Sequence, residues 1–189
     1  MTPALPSVVI IGAGGFGRAV ADALGLAGGV VVAGFLDDRG SDLGRVLGLP
    51  VLGCIADLPQ LRVPCDRVVV AIGDNHRRAE LAAWVLEQGL ALQTVVHPRA
   101  IVSAHAVLGS GAMVMAGAVV GTEAHLGRCA IVNAGAVADH HAQVGDCAHL
   151  GVGALMAGGS RLGQRAWLQE GAVLRAGQQV PDGTVVARG

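Results

Sequence analysis

The 189-residue chain carries 13 basic and 14 acidic residues, a net charge of -1, and is 52% hydrophobic but only 2% aromatic. Near neutrality excludes the electrostatic footprint of a nucleic-acid or anionic-membrane binder, and no apolar run reaches the roughly 18 residues needed to span a bilayer. Thirty glycines with so little aromatic bulk suit many thin, similar layers rather than one bulky core, and an N-terminus without a charged leader predicts a cytoplasmic protein.

Along the chain, a strand is predicted over 8–11 (VVII), running into GAGGFG at 12–17 and a helix to about Leu26. VVVAGF at 30–35 reads as a second strand ending at Asp37 and Asp38, and VVVAI at 68–72 as another, followed by a helix from about Asn75 to Gln88. LQTVV at 92–96 is a last strand. This alternation predicts a small α/β domain with a mostly parallel sheet. Gly12, Gly14 and Gly17 satisfy GxGxxG after a strand, with Asp37 beyond them, an arrangement that holds pyrophosphate at a helix N-terminus. That motif alone fits a nicotinamide or flavin site, yet the segment ends near residue 97, too short for a two-half dinucleotide fold with a substrate domain. Arg77 is either a phosphate partner or a solvated arginine at a helix start.

From Ile101 the grammar changes. Fourteen six-residue units follow without a gap, from IVSAHA to QVPDGT; the second place is aliphatic in 13 of them and the sixth is Ala in 11. A period of six is neither the alternation of a half-buried strand nor the 3.6 of a helix. It predicts a triangular coil in which each unit gives one flat side and one turn, and three units complete a rung. The aliphatic residue fills the interior, and rungs stack at roughly 4.8 Å through backbone hydrogen bonds. Met113, Met115 and Trp167 then point outward and offer apolar contacts to a neighbouring subunit. Cys129 and Cys147, 18 residues apart, stack in adjacent rungs, as a disulfide or, in a reducing compartment, as two thiols.

Five of seven histidines lie in the repeat, and DHHAQVGDCAH at 139–149 holds three of them. His140 and His141 occupy outward places and do not fill the interior. Their readings include a general base, a pair of surface turn histidines at a subunit seam, and a zinc site with His149 and Asp139, although the spacing matches no standard zinc signature. An imidazole, with a reference pKa near 6.5, suits removal of a proton from an attacking amine at neutral pH.

Several stretches together carry a family resemblance: GAGGFG at 12–17, FLDD at 35–38, AIGDN at 71–75, VVHPRAIVSAHAVLGSGAMVMAGAVV from 95, NAGAVADHHAQVGDCAHLGVGA at 133–154 and VPDGTVVA at 180–187. From Val8 to about Ala187 the chain resembles the hexapeptide-repeat acyltransferases. Within them it resembles the subgroup of nucleotide-sugar N-acetyltransferases and sialic-acid-type O-acetyltransferases. The resemblance implies a Rossmann-like domain over 1–97 that binds a nucleotide-linked amino sugar and a left-handed β-helix over 98–189. It further implies acetyl-CoA as cosubstrate, a homotrimer, and N-acetylation of the amine of a 4-amino-4,6-dideoxy sugar. A sugar or polysaccharide O-acetyltransferase and a non-catalytic trimeric scaffold are the alternatives.

By the same resemblance His140 is the general base, the Gly158 backbone N–H supports the oxyanion, and His149 and Trp167 contact the cofactor. Gly12, Gly14, Gly15, Phe16, Gly17, Asp37, Asp38, Gly73, Asn75 and Asn133 line the substrate site. Two positions depart from the subgroup. Phe16 replaces a histidine frequent in the glycine turn, and His141 stands where an acid commonly follows the base, leaving Asp139 or His141 itself to orient His140.

Overall fold

The computed structural model describes residues 5–188, apart from the side chains of residues 41 and 42. The first half alternates strands and helices: β1 (Ser7–Ile11), α1 (Gly15–Ala27), β2 (Val31–Leu36), α2 (Gly40–Leu43), β3 (Arg45–Val46), β4 (Leu49–Gly53), a 3-10 turn at Ile55–Gln60, β5 (Arg67–Val70), α3 (Asn75–Glu87) and β6 (Ala91–Leu92). They form one sheet in the order β3-β4-β2-β1-β5-β6, parallel except where β3 meets β4. The chain leaves β1 toward β2 on one side and later returns to β5 on the other. The carboxyl ends of β1 and β5 therefore flank a switch point, the place where open α/β sheets hold ligands.

The stretch read as one strand over 92–96 divides. Ala91–Leu92 extends the α/β sheet, whereas Val95–Val96 pairs with Met113–Val114 and begins the coil. From there two-residue strands stack into three faces. The first holds Val95, Met113, Ile131, His149, Trp167 and Val185 at its outward places, the second runs from Ile101 to Val173, and the third from Val107 to Gln179. Every pairing joins residues 18 apart, as in Met113↔Ile131 and Ile131↔His149, so three six-residue units make each rung. The aliphatic second places and small sixth places fill the interior. Val114, Val132, Leu150, Leu168 and Ala112 through Ala172 are all buried there, and Ala138, the unit without a large aliphatic residue, is buried too.

The outward residues of the first face have a different occupant from the one expected. Met113 and Met115 do not lie on an open subunit seam. They are buried with Ile131 against Val8, Ile10, Val20, Leu24 and Phe35 of the α/β half. Apolar character at an outward position shows that something covers it, and here the chain covers itself. Cys129 and Cys147, both free thiols, pack beside Leu81, Val85 and Leu92 in the same manner.

The first turn of α3 pins the two halves together. The fully buried Arg78 donates to the carbonyls of Ile72 (2.8 Å) and Gly73 (3.1 Å) in its own half, and to those of Cys129 (3.0 Å) and Cys147 (2.7 Å) in the coil. Asn75 accepts from the same guanidinium at 2.7 Å and donates to Arg165 and Ala166 carbonyls at 3.0 and 3.1 Å. Cys129, Cys147 and Arg165 are the same turn position in three consecutive rungs, all at positive φ. That conformation turns their carbonyls out of the coil ladder and toward α3.

Candidate active site

The sequence-predicted residues collect in two places on one chain. The first is the switch-point crevice and the cleft it opens onto. In the glycine turn, a side chain at Gly17 would collide with the Gly12 carbonyl, while Gly14 and Gly15 face open space. The N-terminus of α1 has no side-chain cap and no acid in its first turn, leaving backbone N–H groups and a positive dipole end directed at the crevice.

Asp37 sits beneath this turn. Its carboxylate accepts the Ala13 N–H at 2.8 Å, and the Arg39 N–H and guanidinium at 3.0 Å. The Arg39 hydrogen bond is the main reason its pKa is lowered to about 2, against the opposing effect of burial. Asp37 thus holds the turn in shape, whereas Asp38 is exposed and lines a groove with Arg77 and Trp84. Arg77 pairs with Glu80 at 3.2 Å on an exposed turn. Asn75, expected at the substrate, is consumed by the junction described above.

Where the crevice meets the first face lies a cleft of about 440 Å³, lined by Gly73, Asn75, His76, His149, Arg165 and Trp167 among others. The His149 ring stacks on Trp167, with centroids 5.9 Å apart and planes within 13°, and the Phe16 ring lies 6.4 Å from it at a tilt of 36°. Asn133 fixes the tautomer. Its Oδ1 accepts the Ala134 N–H at 2.8 Å, so its amide N–H points to His149 Nε2 at 3.3 Å. His149 Nε2 is then the acceptor, and the ring is neutral with its proton on Nδ1.

Burial, aided by the Arg78 charge, pushes the His149 pKa from 6.5 down to about 4. A base with a folded pKa below its unfolded value stabilises the fold fully above pH 6.5. That contribution is lost as pH falls through about 4, and the interval corresponds to about 3 kcal/mol at most. The denaturation midpoint is expected to fall between pH 6.5 and 4, and to fall less in H149Q, which keeps an acceptor for Asn133 without titrating. Equal slopes in urea melts of the two proteins would remove His149 as the cause.

The second place is the corner between the second and third faces. His140 and His141 project there, 59% and 60% exposed at their side chains. The His140 ring lies over Gly158, one rung on, so closely that any Cβ at 158 would occupy the ring's position. The Gly158 N–H has no acceptor among the described residues. An imidazole and an N–H donor without an acceptor among the described residues are thus brought together at a residue without a side chain, the two kinds of group that deprotonation of a nucleophile and support of an oxyanion call for. Asp139 accepts the His140 backbone N–H at 2.7 Å and stands 3.8 Å from the Nε2. Glu123, which sequence reasoning missed, lies one rung before His141 and 2.9 Å from its Nε2; the 18-residue register was the signal that could have found it. The third face, which starts just past this corner, carries a groove of about 480 Å³ that includes Gln143, Arg161 and Gln164.

His140 and His149 thus sit on different sides of one chain, and Gly158 shares a corner with His140 and not with Trp167. Among the described residues no helix is long and apolar enough to cross a membrane.

Comparison with known proteins agrees with this architecture. Residues 7–85 match the PglD N-terminal domain family. The chain is 38% identical to PerB from Caulobacter crescentus, solved with CoA and GDP-perosamine, covering 98% of this chain and 90% of that one at a TM-score of 0.82. It is 29% identical to the acetyltransferase domain of PglB from Neisseria gonorrhoeae, solved with acetyl coenzyme A, covering 96% of each chain at a TM-score of 0.76. Against the UDP-N-acetylbacillosamine N-acetyltransferase of Bacillus subtilis it is 32% identical over 117 residues, 59% of this chain and about half of that protein's length, 52%. With the hexapeptide period, the three stacked faces and a nearly full-length match above 30% identity, the chain belongs to the left-handed β-helix acetyltransferases that act on nucleotide sugars.

Proposed function

We propose that the protein transfers the acetyl group of acetyl-CoA to the amine of a nucleotide-linked amino sugar, a 4-amino-4,6-dideoxy sugar of the GDP-perosamine kind. The observation that carries this reading is the His140 ring seated over the bare, unpartnered N–H of Gly158. It stands in a chain similar over nearly its whole length to an enzyme solved with CoA and GDP-perosamine. That enzyme has also been solved with one histidine replaced by asparagine or alanine, again with both ligands.

In this reading the α1 N-terminus and the turn over Gly14 and Gly15 hold the pyrophosphate, with Asp38 near the nucleoside. Trp167 Nε1 and Arg165 Nε, buried without hydrogen-bond partners beside the His149 cleft, suit a ligand rich in acceptors. His140 takes the amine proton at Nε2 as the new N–C bond forms, and returns it to the sulfur as the C–S bond breaks. The Gly158 N–H supports the oxyanion, and the groove with Arg161 and Gln164 holds the cosubstrate. The high exposure of His140 on a single chain fits a homotrimer in which a neighbouring coil covers this corner, excludes water and brings a His149 cleft opposite. The cytoplasm, where acetyl-CoA and sugar nucleotides are made, is the corresponding location.

The test is CoA release measured with GDP-perosamine and with its N-acetylated analogue. Thiol is expected from the first and none from the second. Equal release from both would move the acceptor to a hydroxyl and overturn the N-acetyl reading.

A further inference from the structure

The general base of the proposed reaction is not followed by an acid in sequence, and the fold supplies one from the preceding rung. We propose that Glu123 is the positioning residue for His140, acting through His141, which makes Glu123–His141–His140 a relay that crosses two rungs of the coil. This rests on the acetyl-transfer reading above.

Glu123 Oε2 and His141 Nε2 are 2.9 Å apart, and His141 Nδ1 and His140 Nδ1 are 3.0 Å apart. The two rings meet edge to face at 88°. Only one proton arrangement satisfies both contacts with neutral rings. Glu123, an acceptor only, takes the Nε2–H of His141. His141 Nδ1 is then bare and accepts the Nδ1–H of His140. That leaves the lone pair of His140 on Nε2, one of the two ring atoms closest to the Gly158 position, as a general base requires. When Nε2 takes the amine proton, the imidazolium keeps its Nδ1–H bond to His141, and the Glu123 charge offsets the new positive charge.

Asp139 does not fill this role. One of its oxygens accepts the His140 backbone N–H, and the other stays 3.8 Å from the Nε2, beyond hydrogen-bond range. It shapes the turn. The preceding rung brings Thr122 and Glu123 to this corner and the next rung brings Gly158 and Gly159, so Glu123 and Asp139 are its carboxylates.

The backbone gives an independent indication. From the second rung on, the fifth place of this turn takes a left-handed φ, and later rungs supply it with Gly159 (φ 66) and Gly177 (φ 69). Glu123 (φ 58) and His141 (φ 59) adopt the same conformation with side chains attached, which is unfavourable for an L-residue. Of the three non-glycine residues at this place, His105, Glu123 and His141, the two with positive φ are the two that contact each other.

The experiment compares wild type, E123Q, H141D and E123Q/H141D in the full chain, by steady-state kinetics with GDP-perosamine and by ¹⁵N NMR of the histidine side chains. A buried aspartate behind a catalytic histidine is worth about 10⁴-fold in kcat. Glu123 is 60% exposed and solvent-screened, so E123Q is expected to lower kcat roughly tenfold and leave both KM values unchanged. Asp at 141 puts a carboxylate beside His140 directly and bypasses Glu123, so the kcat of H141D, whatever its level, is expected to be unaffected by adding E123Q in the double variant. The NMR spectrum is expected to show His140 as the Nδ1–H tautomer in wild type and as a mixture in E123Q. Unchanged kcat and unchanged tautomer in E123Q overturn the relay, as does an E123Q effect of equal size with and without H141D. The NMR comparison needs no turnover, so a wild-type protein that releases no CoA refutes the acetyl-transfer reading while the tautomers still decide the relay.

Discussion

H140A is expected to lower kcat for acetyl transfer by about 10³-fold, within the range that a positioned general base contributes, with KM for either substrate changed only a few-fold. The argument is geometric. His140 projects from a turn rather than from the interior, so its removal leaves the Val114–Leu174 stack beneath it intact, and circular dichroism should not change. What is lost is the proton acceptor above Gly158. G158A tests the same geometry from the other side. A methyl at 158 falls on the imidazole, so the ring must leave its seat, and kcat is expected to drop about 10²-fold in a protein that still melts normally. Turnover by H140A within tenfold of wild type would transfer the base to His141.

The second large effect concerns stability. R78M is expected to cost about 3–5 kcal/mol. The Arg78 guanidinium is fully buried and meets five carbonyls and the Asn75 side chain. Its charge is balanced by oriented dipoles and not by a carboxylate. Burial lowers its pKa to about 10, and it stays charged at neutral pH. Methionine fills similar volume but leaves those acceptors without a donor, at a cost of about 1–3 kcal/mol for each that water cannot reach. Lysine offers a compact ammonium in place of a planar fork, so R78K should recover only part of the loss. The two tryptophans report separately, Trp84 from α3 and Trp167 from the coil. In wild type their fluorescence transitions should coincide in urea. In R78M the Trp84 transition should move to lower urea first. Coincident, unshifted transitions would show that the junction is held by apolar packing alone.

These cases show which parts of the molecule were readable from residues alone. The coil was legible because its constraint repeats: each aliphatic second place and small sixth place states the same geometry again. His140 and Gly158 followed from the same register, being one rung apart. The contribution of Glu123 was present in that arithmetic too, 18 residues before His141, but a lone acid in a turn has no feature that marks it until the neighbouring ring is in place. The hairpin of β3 and β4 was missed because its strands are short and bounded or interrupted by Gly44, Gly48 and Pro50, with no periodicity to read. Arg78 lies in phase with Leu81, Ala82 and Val85 on the buried stripe of α3, which was a usable sign. Its partners are backbone carbonyls, and composition does not distinguish those. Met113 and Met115 were correctly read as outward, yet apolarity does not say whether a second copy or the chain's own first half covers them.

The 18-residue pairing of the rungs also bears on how such a chain can grow. Adding one hexapeptide would keep every aliphatic residue inside, so the stack would be as well packed as before. Everything downstream would nevertheless rotate by a third of a turn, carrying His149 away from the α/β half and the carbonyls of residues 147 and 165 out of reach of α3. Packing is blind to that slip, and the junction is not. Length changes that preserve the molecule should therefore come in whole turns, and shorter ones would leave a folded column with its working parts on the wrong sides.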